Sequence, residues 1–248
     1  GCLTTRNGNL LFNNGCVDTL KINTPIVSVE GSLNHKLWSY SNGKYDWHKL
    51  EDLRDSDWVA NQYGPTLFGN YENIDGYNND SHKRTKFKYD FKKITPDLAY
   101  LFGLYISEGS CYKNKNNTGC MITISCGDDA TPLFEKLGIK CNKYDNVHHC
   151  ISSLDLMMLF EYVGFDLSKK ASQKEIPINL MKMNKENTIA LLQGLFDGDG
   201  YSDAVRGRVG YSSTSEKLID QVHMLLLNLG LWAKKNKKTK ERSNSYES

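Results

Sequence analysis

The sequence lacks the features that would place it in a membrane or in an oxidising compartment. No apolar run approaches the ~20 residues of a membrane-spanning helix, and we expect neither a membrane partner nor a secretory leader. The seven cysteines include no C-x-x-C pair, which argues against structural zinc, and an odd number is a poor disulfide framework. These absences predict an intracellular protein of the reducing cytoplasm.

A strong charge of either sign is also missing. The 248 residues carry a formal net charge of only +2, so any surface for a polyanion must come from local clusters of basic residues. The chain is 39% hydrophobic and 24% charged, which is typical of soluble globular proteins. Its length allows two compact domains or one large one.

Two similar nonapeptides stand out from this ordinary background. Residues 101–109 read LFGLYISEG, and residues 192–200 read LQGLFDGDG. In both, an apolar helical stretch leads into one acid, Glu108 or Asp199, and a glycine is expected to stop the helix directly after it. The recurrence of residue class across nine positions indicates one structural element used twice.

Small residues recur in both nonapeptides at a helical spacing. The pairs Gly103/Ser107 and Gly194/Gly198 are separated by four residues, so each pair lies on one face of its helix. Missing side chains on that face let two helix backbones approach closely. If the helices pack together, their terminal acids arrive side by side at the negative ends of two helix dipoles, and such a site favours a divalent cation.

The two nonapeptides resemble the paired motifs of LAGLIDADG homing endonucleases. The resemblance implies an α+β fold with two pseudo-symmetric αββαββα halves, a saddle-shaped DNA-binding sheet, and cleavage of both strands of double-stranded DNA with Mg²⁺ or another divalent cation. It also implies that Glu108 and Asp199 are catalytic residues and metal ligands. The motif's earlier acid is Asp197 in the second copy but Ile106 in the first, so Asp197 is not an equal candidate.

The sequence around the nonapeptides also repeats. Thr95 and Pro96 mark a helix start, and the distance from Glu108 to Gly138 is matched to within one residue by that from Asp199 to Gly230. In the first half we expect strands at 110–112, 120–125, 140–144 and 148–151, with helices at 130–137 and 154–163. The second half repeats this order as far as a helix at 215–229, but it has no room for the last strand and helix, so we expect its repeat to be truncated.

The first 66 residues read as a β-rich segment. Strands are expected at 19–22 and 26–30, followed by a hairpin with strands at 37–40 and 45–47. The Asn42-Gly43 dipeptide is a strong signal for the tight turn of such a hairpin. Apolar anchors are expected at Leu50, Leu53, Trp58 and Val59.

This segment resembles the N-terminal splicing half of an intein, which belongs to the Hint fold. The similarity lies in residues 12–15, 19–22, 29–35, 47–53 and 58–60, where Ser32 to His35 is close to the intein pattern T-x-x-H. The resemblance implies that Ser32 and His35 are catalytic residues and that His35 helps to activate the scissile peptide bond. It also implies that the Cys2 thiol attacks the carbonyl of Gly1 in an N-to-S acyl shift that forms a thioester. The alternative is that His35 is a half-buried strand histidine.

Two departures from the intein pattern bear on splicing. Cys2 and His35 are closer together in the sequence than is usual in the family, which leaves open whether Cys2 is the nucleophile. In addition, the sequence has no His-Asn ending. We therefore expect the chain to be a fragment of a longer or split intein. Its expected partner is a C-terminal intein segment or a continuation of the chain.

Basic residues outside the motifs are candidates for contact with DNA. Lys170 and Lys174 follow the first repeat and are expected to act in catalysis or, more in keeping with a basic loop, to contact backbone phosphates. Strand and loop positions that could face DNA are Lys113, Lys115, Asn117, Thr123, Lys143, His148, Arg206, Arg208 and Tyr211. The run that contains Lys234, Lys235, Lys237 and Lys238 is expected to form a DNA-facing hairpin.

These observations predict three parts and leave two alternatives for function. Residues 1–66 form a Hint-like splicing segment, residues 67–93 a linker or DNA-contacting connector, and residues 94–248 the endonuclease. One alternative is a non-enzymatic LAGLIDADG protein that binds nucleic acid as a maturase or regulator. The other is a splicing element with a degenerate nuclease.

Overall fold

The computed structural model describes residues 15–24, 28–61, 67–74, 77, 89–114, 119–126, 130–145 and 147–237. Cys2, Lys115, Asn117 and Lys238 lie outside these ranges, so their assigned roles stay predictions. No helix in the described ranges is long and apolar enough to cross a bilayer.

The chain divides into two units. The first unit comprises the residues up to Leu67 together with those from Leu226 onward, and the second comprises Phe68–Leu225. The three predicted parts, residues 1–66, 67–93 and 94–248, are not tested by this division and remain a prediction.

The first unit contains two small antiparallel sheets. Strand β1 (Thr19–Asn23) pairs with β2 (Ser28–Ser32), and β3 (Lys36–Ser41) lies between β4 (Lys44–Lys49) and β5 (Trp58–Val59). A short 3₁₀ helix (Leu50–Asp52) follows β4.

The hairpin predicted from the Asn-Gly signal is confirmed. Asn42 and Gly43, which join β3 to β4, both have positive φ angles, 52° and 80°. Such angles at both central residues belong to the turn whose twist matches that of the flanking strands.

The three-stranded sheet buries its polar face and exposes its aromatic face. Ser39 and Ser41 are buried, and Ser39 Oγ lies 2.9 Å from His48 Nδ1. On the opposite face, the side chain of Trp58 is 75% exposed. The prediction that Trp58 is an apolar anchor was therefore wrong: it pairs with Tyr40 on the exposed face.

The first half of the second unit has the order αββαββα, as predicted. Its elements are α1 (Pro96–Glu108), β6 (Gly109–Lys113), β7 (Cys120–Ser125), α2 (Thr131–Lys136), β8 (Asn142–Lys143), β9 (His148–Ile151) and α3 (Leu154–Val163). Thr95 Oγ1 accepts a hydrogen bond from the backbone N–H of Leu98 at 3.3 Å, which caps α1. Gly164, with φ of 107°, closes α3 in the left-handed conformation.

The strands of this half form an antiparallel sheet in the order β6-β7-β9-β8. One face carries the buried side chains of Ile122, Ile124 and Ile151. The other face is open, and it presents Tyr112 (65% exposed) opposite Met121 (40% exposed) in adjacent strands. Alternation along the strands thus separates a core face from a face free to contact a ligand.

The described part of the connector that precedes α1 is anchored to this half. The buried carboxylate of Asp155, in the first turn of α3, accepts hydrogen bonds from the Tyr77 hydroxyl and from the backbone N–H of Tyr89. Ile74 is fully buried, and its N–H donates to Lys92 O at 2.9 Å. These contacts hold the connector at Ile74 and Tyr77 and again at Tyr89.

The second half is shorter than the first. Helix α4 (Lys185–Asp199) leads into a two-stranded sheet, β10 (Gly200–Asp203) and β11 (Arg208–Tyr211), and then into α5 (Glu216–Asn228). After α5, the described residues to position 237 contain no further strand or helix. Within the described residues the second repeat is therefore αββα, and its predicted truncation remains a prediction.

The described part of the lysine run does not form the predicted hairpin, and the rest of the run lies outside the described residues. Lys234, Lys235 and Lys237 lie in a stretch without regular structure, where all three side chains are exposed. A strand needs apolar or β-branched side chains on one face to pack against a sheet, and consecutive lysines supply none.

Helices α1 and α4 cross at their paired glycines. A methyl group built on Gly103 would lie 2.2 Å from Leu191 O, and one built on Gly194 would lie 2.2 Å from Tyr100 O. Leu191 and Tyr100 occupy equivalent positions, three residues before the glycine of each nonapeptide. The contacts are therefore exchanged between the helices, which is the mark of a local two-fold axis.

Replacing Gly103 with alanine should destabilise the protein. The new methyl group would force the helices apart, and overpacking of this kind costs about 1–3 kcal/mol, offset in part by the roughly 1 kcal/mol better helix propensity of alanine. Urea unfolding measures the difference. Gly119→Ala is the control, because among the described residues its methyl group would meet only the Asn114 side chain, at 3.3 Å. Equal free energies of unfolding for Gly103→Ala and the wild type would contradict the close crossing.

Candidate active site

The two motif acids are the last residues of α1 and α4. Glu108 and Asp199 end their helices, and a methyl group built on Gly198 of α4 would lie 3.0 Å from Glu108 Cγ. The structure therefore brings together the two acids that the repeat predicted to meet. Their roles as catalytic residues and metal ligands remain predictions.

Each helix ends at its acid and is followed by a glycine, as predicted, but the glycine does not adopt the left-handed conformation that is common at helix ends. Gly109 and Gly200 have φ angles of −90° and −80°, so neither is a left-handed helix cap. A methyl group built on Gly200 would lie 2.2 Å from Phe196 O, and one on Gly109 would lie 2.5 Å from Tyr105 O. Glycine is needed because the chain turns from helix into strand without a connecting residue.

Lys174 occupies the carbonyl end of α1. Its ammonium group donates to Gly109 O at 2.7 Å, to Ser107 O at 3.1 Å and to Tyr105 O at 3.3 Å. An ammonium group has three N–H donors, so all of them are engaged. The expectation that Lys174 contacts a backbone phosphate is corrected, because its charge is directed at a helix end beside the two acids.

Helix α5 holds the segment that carries Lys174. Ser215 Oγ donates to Lys174 O at 2.7 Å and accepts from Leu218 N–H at 3.2 Å, so it also caps α5. The Gln221 side chain accepts from Ile176 N–H at 2.8 Å and donates to Ile176 O at 2.7 Å. Sequence analysis missed Ser215 and Gln221 as supports of the site, since nothing in either residue's neighbourhood points to a partner about 40 residues away.

Burial and charge together shift the pKa values of the site. Burial raises the pKa of Glu108, nearby Asp199 raises it further, and Lys174 opposes both effects. Burial raises the pKa of Asp199, again opposed by Lys174. Burial lowers the pKa of Lys174, while the two acids act to raise it. The site therefore holds two carboxylates whose negative charge one lysine only partly offsets.

Tyr211, on β11, adds a polar group beside the acids. Burial raises the pKa of its hydroxyl, and Asp199 and Glu108 raise it further. Among the described residues, this hydroxyl is the buried side-chain oxygen without a hydrogen-bond partner.

The remaining predicted basic residues are more scattered. Lys170 is exposed on the loop that leads to Lys174. Lys113 forms an ion pair with Glu161 of α3, on the covered side of the sheet, and Arg206 lies 3.7 Å from Asp203. Lys143 and Arg208 are exposed on β8 and β11. Their contacts with DNA remain predictions, and the Glu161 pairing weighs against Lys113.

A second candidate site lies in the first unit. His35 follows β2 in a turn fixed by its own backbone: its N–H donates to Ser32 O at 2.9 Å, and its carbonyl accepts from Leu50 N–H at 2.8 Å. Ser32 Oγ donates to Asn34 Oδ1 at 2.7 Å. The imidazole of His35 is exposed, so its ring is accessible to a segment placed beside it.

Comparison with known proteins identifies part of the chain. Residues 186–248 match the family model described as a LAGLIDADG-like domain, which supports the predicted family and includes Asp199. A LAGLIDADG-like domain indicates a nuclease or nucleic-acid-binding role. Endonucleases of this family generally use divalent metals.

Stretches of several curated proteins are similar to most of the chain. The similarity is 28% identity over 76% of the chain for the DNA-directed RNA polymerase subunit Rpo1C, and 28% over 84% for the ATP-dependent DNA helicase Hel308, both of Methanocaldococcus jannaschii. The glutamine–fructose-6-phosphate aminotransferase of the same organism is 25% identical over 72% of the chain. The chain spans 21%, 16% and 17% of these relatives, respectively.

The residues at the paired helix ends fit a divalent cation. Within the described ranges no three His, Cys, Asp or Glu side chains form a metal cluster, so the protein would supply two carboxylates and leave the other positions to water and substrate oxygens. Mg²⁺ commonly binds in this way. The repulsion between Glu108 and Asp199 and the unpartnered hydroxyl of Tyr211 both favour a bound cation with its waters.

The charge repulsion at this site predicts a pH-dependent stability. Because the folded-state pKa of Glu108 is raised, the folded protein binds more protons than the unfolded chain, and stability falls as pH rises through that pKa. Glu108→Gln should therefore raise the melting temperature of the metal-free protein at pH 7, with a smaller gain near pH 4. Mg²⁺ should stabilise the wild type by about 2.7 kcal/mol at 100 times its Kd.

Differential scanning fluorimetry at both pH values, with EDTA or Mg²⁺, measures these effects. Asp197→Asn is the matched control, since Asp197 is a second carboxylate near the site, on α4 two residues before Asp199, and it accepts from the Tyr100 hydroxyl at 2.8 Å. A Glu108→Gln protein that still gains as much from Mg²⁺ as the wild type would contradict the cation site.

Proposed function

We propose that this chain is a metal-dependent DNA endonuclease that cleaves both strands of double-stranded DNA and is joined to the N-terminal part of a protein-splicing domain. The observation that carries the nuclease proposal is the meeting of Glu108 and Asp199 at the crossing of two equivalent helices. Each half of the repeat thus contributes one carboxylate, which suits the cleavage of two strands at one place.

The residues around the acids support a hydrolytic role. Glu108 and Asp199 would hold a divalent cation, which when bound would supply activation of a water and charge relief at the phosphodiester. Lys174 offsets their charge and, through its three bonds to carbonyls at the end of α1, keeps Glu108 in place. Glycine at 103 and 194 holds the two acids at a fixed separation.

The open face of the four-stranded sheet supports double-stranded DNA as the partner. Tyr112 and Met121 project from it, and Thr123 follows on the same face of β7. A β-ribbon can enter the major groove and read base edges through alternating side chains. Arg208, exposed on β11, would contact a phosphate.

Neutralising either acid should abolish double-strand cleavage while DNA binding survives. Glu108→Gln and Asp199→Asn remove a metal-ligand charge but little surface. The assay uses a plasmid library with randomised inserts, Mg²⁺ or EDTA, and recovery of linear DNA. The enriched DNA then serves in a binding titration for each variant.

Asp197→Asn is the matched control and should cleave like the wild type. Near-normal cleavage by Glu108→Gln and Asp199→Asn would overturn the catalytic assignment. A wild-type chain that binds double-stranded DNA but leaves the whole library uncut in Mg²⁺ and in other divalent cations would favour the alternative of a nucleic-acid-binding LAGLIDADG protein.

The nature of the relatives supports the splicing association. The polymerase subunit, the helicase and the aminotransferase have unrelated named activities, yet each contains a stretch similar to most of this chain. The similar segment accounts for 21% or less of each protein. Because the three named activities differ, we do not expect the segment to be the catalytic domain of any of them. An inserted element that removes itself by splicing accounts for this distribution.

The surface of the first unit supports a polypeptide partner for splicing. Among its described residues, Leu50 is the one fully buried apolar side chain, whereas Trp38, Tyr40, Tyr45, Trp47 and Trp58 are 37–75% exposed on one face of a sheet. At about 150–250 Å² for each aromatic side chain, this face exposes roughly 500 Å², a size that marks an interaction site. A C-terminal intein segment would cover it.

In the proposed splicing step, the Cys2 thiol attacks the carbonyl carbon of Gly1. The Gly1–Cys2 C–N bond breaks, a thioester forms, and the freed Cys2 nitrogen takes up the proton that the thiol releases. His35, held by the Ser32 and Leu50 backbone contacts, would relay that proton from the thiol to the departing nitrogen.

His35→Ala should slow thiol-induced cleavage at the Gly1–Cys2 bond by about 10²–10⁴-fold, the usual contribution of a positioned acid or base. The test co-expresses the chain, in its natural upstream context, with its downstream sequence, and follows the spliced product and the dithiothreitol-released fragment by mass spectrometry. His148→Ala is the control, since His148 is part of β9 in the second unit. Unchanged cleavage in His35→Ala would refute the splicing role.

A further inference from the structure

The Tyr211 hydroxyl is unusual because nothing in the described protein satisfies it. The oxygen is buried and has no hydrogen-bond partner. A buried hydroxyl without a partner destabilises a fold, and natural proteins keep few of them. The Tyr211 ring packs against Phe196 of α4, with centroids 5.3 Å apart, so the ring itself is well accommodated.

The surroundings of the hydroxyl are electrically negative. Glu108 and Asp199 are both close enough to influence its ionisation, yet neither carboxylate accepts a hydrogen bond from it. The hydroxyl therefore sits within electrostatic range of the two acids while its own hydrogen-bonding capacity is unused. A ligand that brings oxygen atoms to the acids would meet it.

The strand register shows that the hydroxyl is not required for packing. Tyr211 lies opposite Gly200, the residue after the acid of α4. In the first half, the residue opposite Gly109 is Ile124, which is fully buried. The repeat thus places an apolar side chain at this position in one half and a tyrosine in the other. Packing at this position therefore does not require a hydroxyl group.

We propose that Tyr211 Oη hydrogen-bonds an oxygen of the ligand held by Glu108 and Asp199, either a water on a divalent cation or an oxygen of the scissile phosphodiester. This assignment rests on the proposed nuclease function. Tyr211 thereby becomes the third residue that contacts the ligand, beside Glu108 and Asp199, and it has no tyrosine counterpart in the first half. The oxygen is retained, at a cost to the free protein, because the ligand satisfies it.

Tyr211→Phe removes only the hydroxyl oxygen and keeps the ring. It therefore separates a role in binding the ligand from a role in packing. Tyr201→Phe is the matched control: Tyr201 lies on β10 of the same hairpin, 57% exposed, with its ring over Gly210. Thermal unfolding of the full chain is measured in EDTA and in a series of Mg²⁺ and Ca²⁺ concentrations without DNA. Single-turnover cleavage of the enriched DNA is measured in Mg²⁺.

In EDTA, Tyr211→Phe should unfold at the same temperature as the wild type or at a higher one. Its stabilisation by Mg²⁺ or Ca²⁺ should be weaker, with an apparent metal affinity or a cleavage rate lower by about 10- to 100-fold, as for other residues that contact a ligand of the metal. A loss with the metal alone identifies a cation-bound water as the oxygen. A loss confined to cleavage identifies the phosphodiester. Tyr201→Phe should match the wild type in every arm.

Two outcomes would overturn the assignment. One is a clear fall in the melting temperature of Tyr211→Phe in EDTA, which would mean that the hydroxyl has a partner in the free protein. The other is a response to metal and a cleavage rate equal to those of the wild type. Failure of the nuclease proposal gives a different result. Metal would then raise the melting temperatures of the wild type and of Glu108→Gln equally, whatever the melting temperature of Tyr211→Phe in EDTA.

Discussion

The contact between Gly103 and Gly194 is the constraint on which the candidate active site depends. A methyl group on either glycine would collide with the backbone of the opposite helix, so the crossing is as close as two helices allow. Each acid follows its glycine by five residues (108 − 103 and 199 − 194). Fixing the crossing point therefore fixes the distance between Glu108 and Asp199, with no need for a direct bond between them.

That geometry has an electrostatic cost which the surrounding residues reduce. Two carboxylates meet where two helix dipoles end, and each dipole adds negative potential. Lys174 compensates at the end of α1, and α5 holds its segment through Ser215 and Gln221. No described lysine performs this role at the end of α4, so the local two-fold symmetry of the helices is broken by the charges around them.

Local signals in the sequence predicted most of the fold, whereas long-range contacts escaped it. The cap at Thr95, the Asn42-Gly43 turn and the end of α3 at Gly164 depend on residues within a few positions of each other, and all three were predicted. The carbonyls that bind Lys174 lie 65–69 residues earlier in the chain, and no spacing announces such a partner. The hairpin at the lysine run was predicted from its positive charge, which indicates a surface for DNA. Charge alone does not favour a strand, and the described part of the run has no regular structure.

The two units solve the burial problem in opposite ways. The second unit buries Phe102, Phe160 and the isoleucines of its sheet, and so contains its own core. The first unit buries Ser39 and Ser41 and leaves five aromatic side chains exposed on the other face, which inverts the usual preference. Such a sheet gains most of its hydrophobic stabilisation only when another polypeptide covers it. Its stability would then be coupled to assembly, and the proposed splicing element, whose chemistry needs a second segment, would benefit from that coupling.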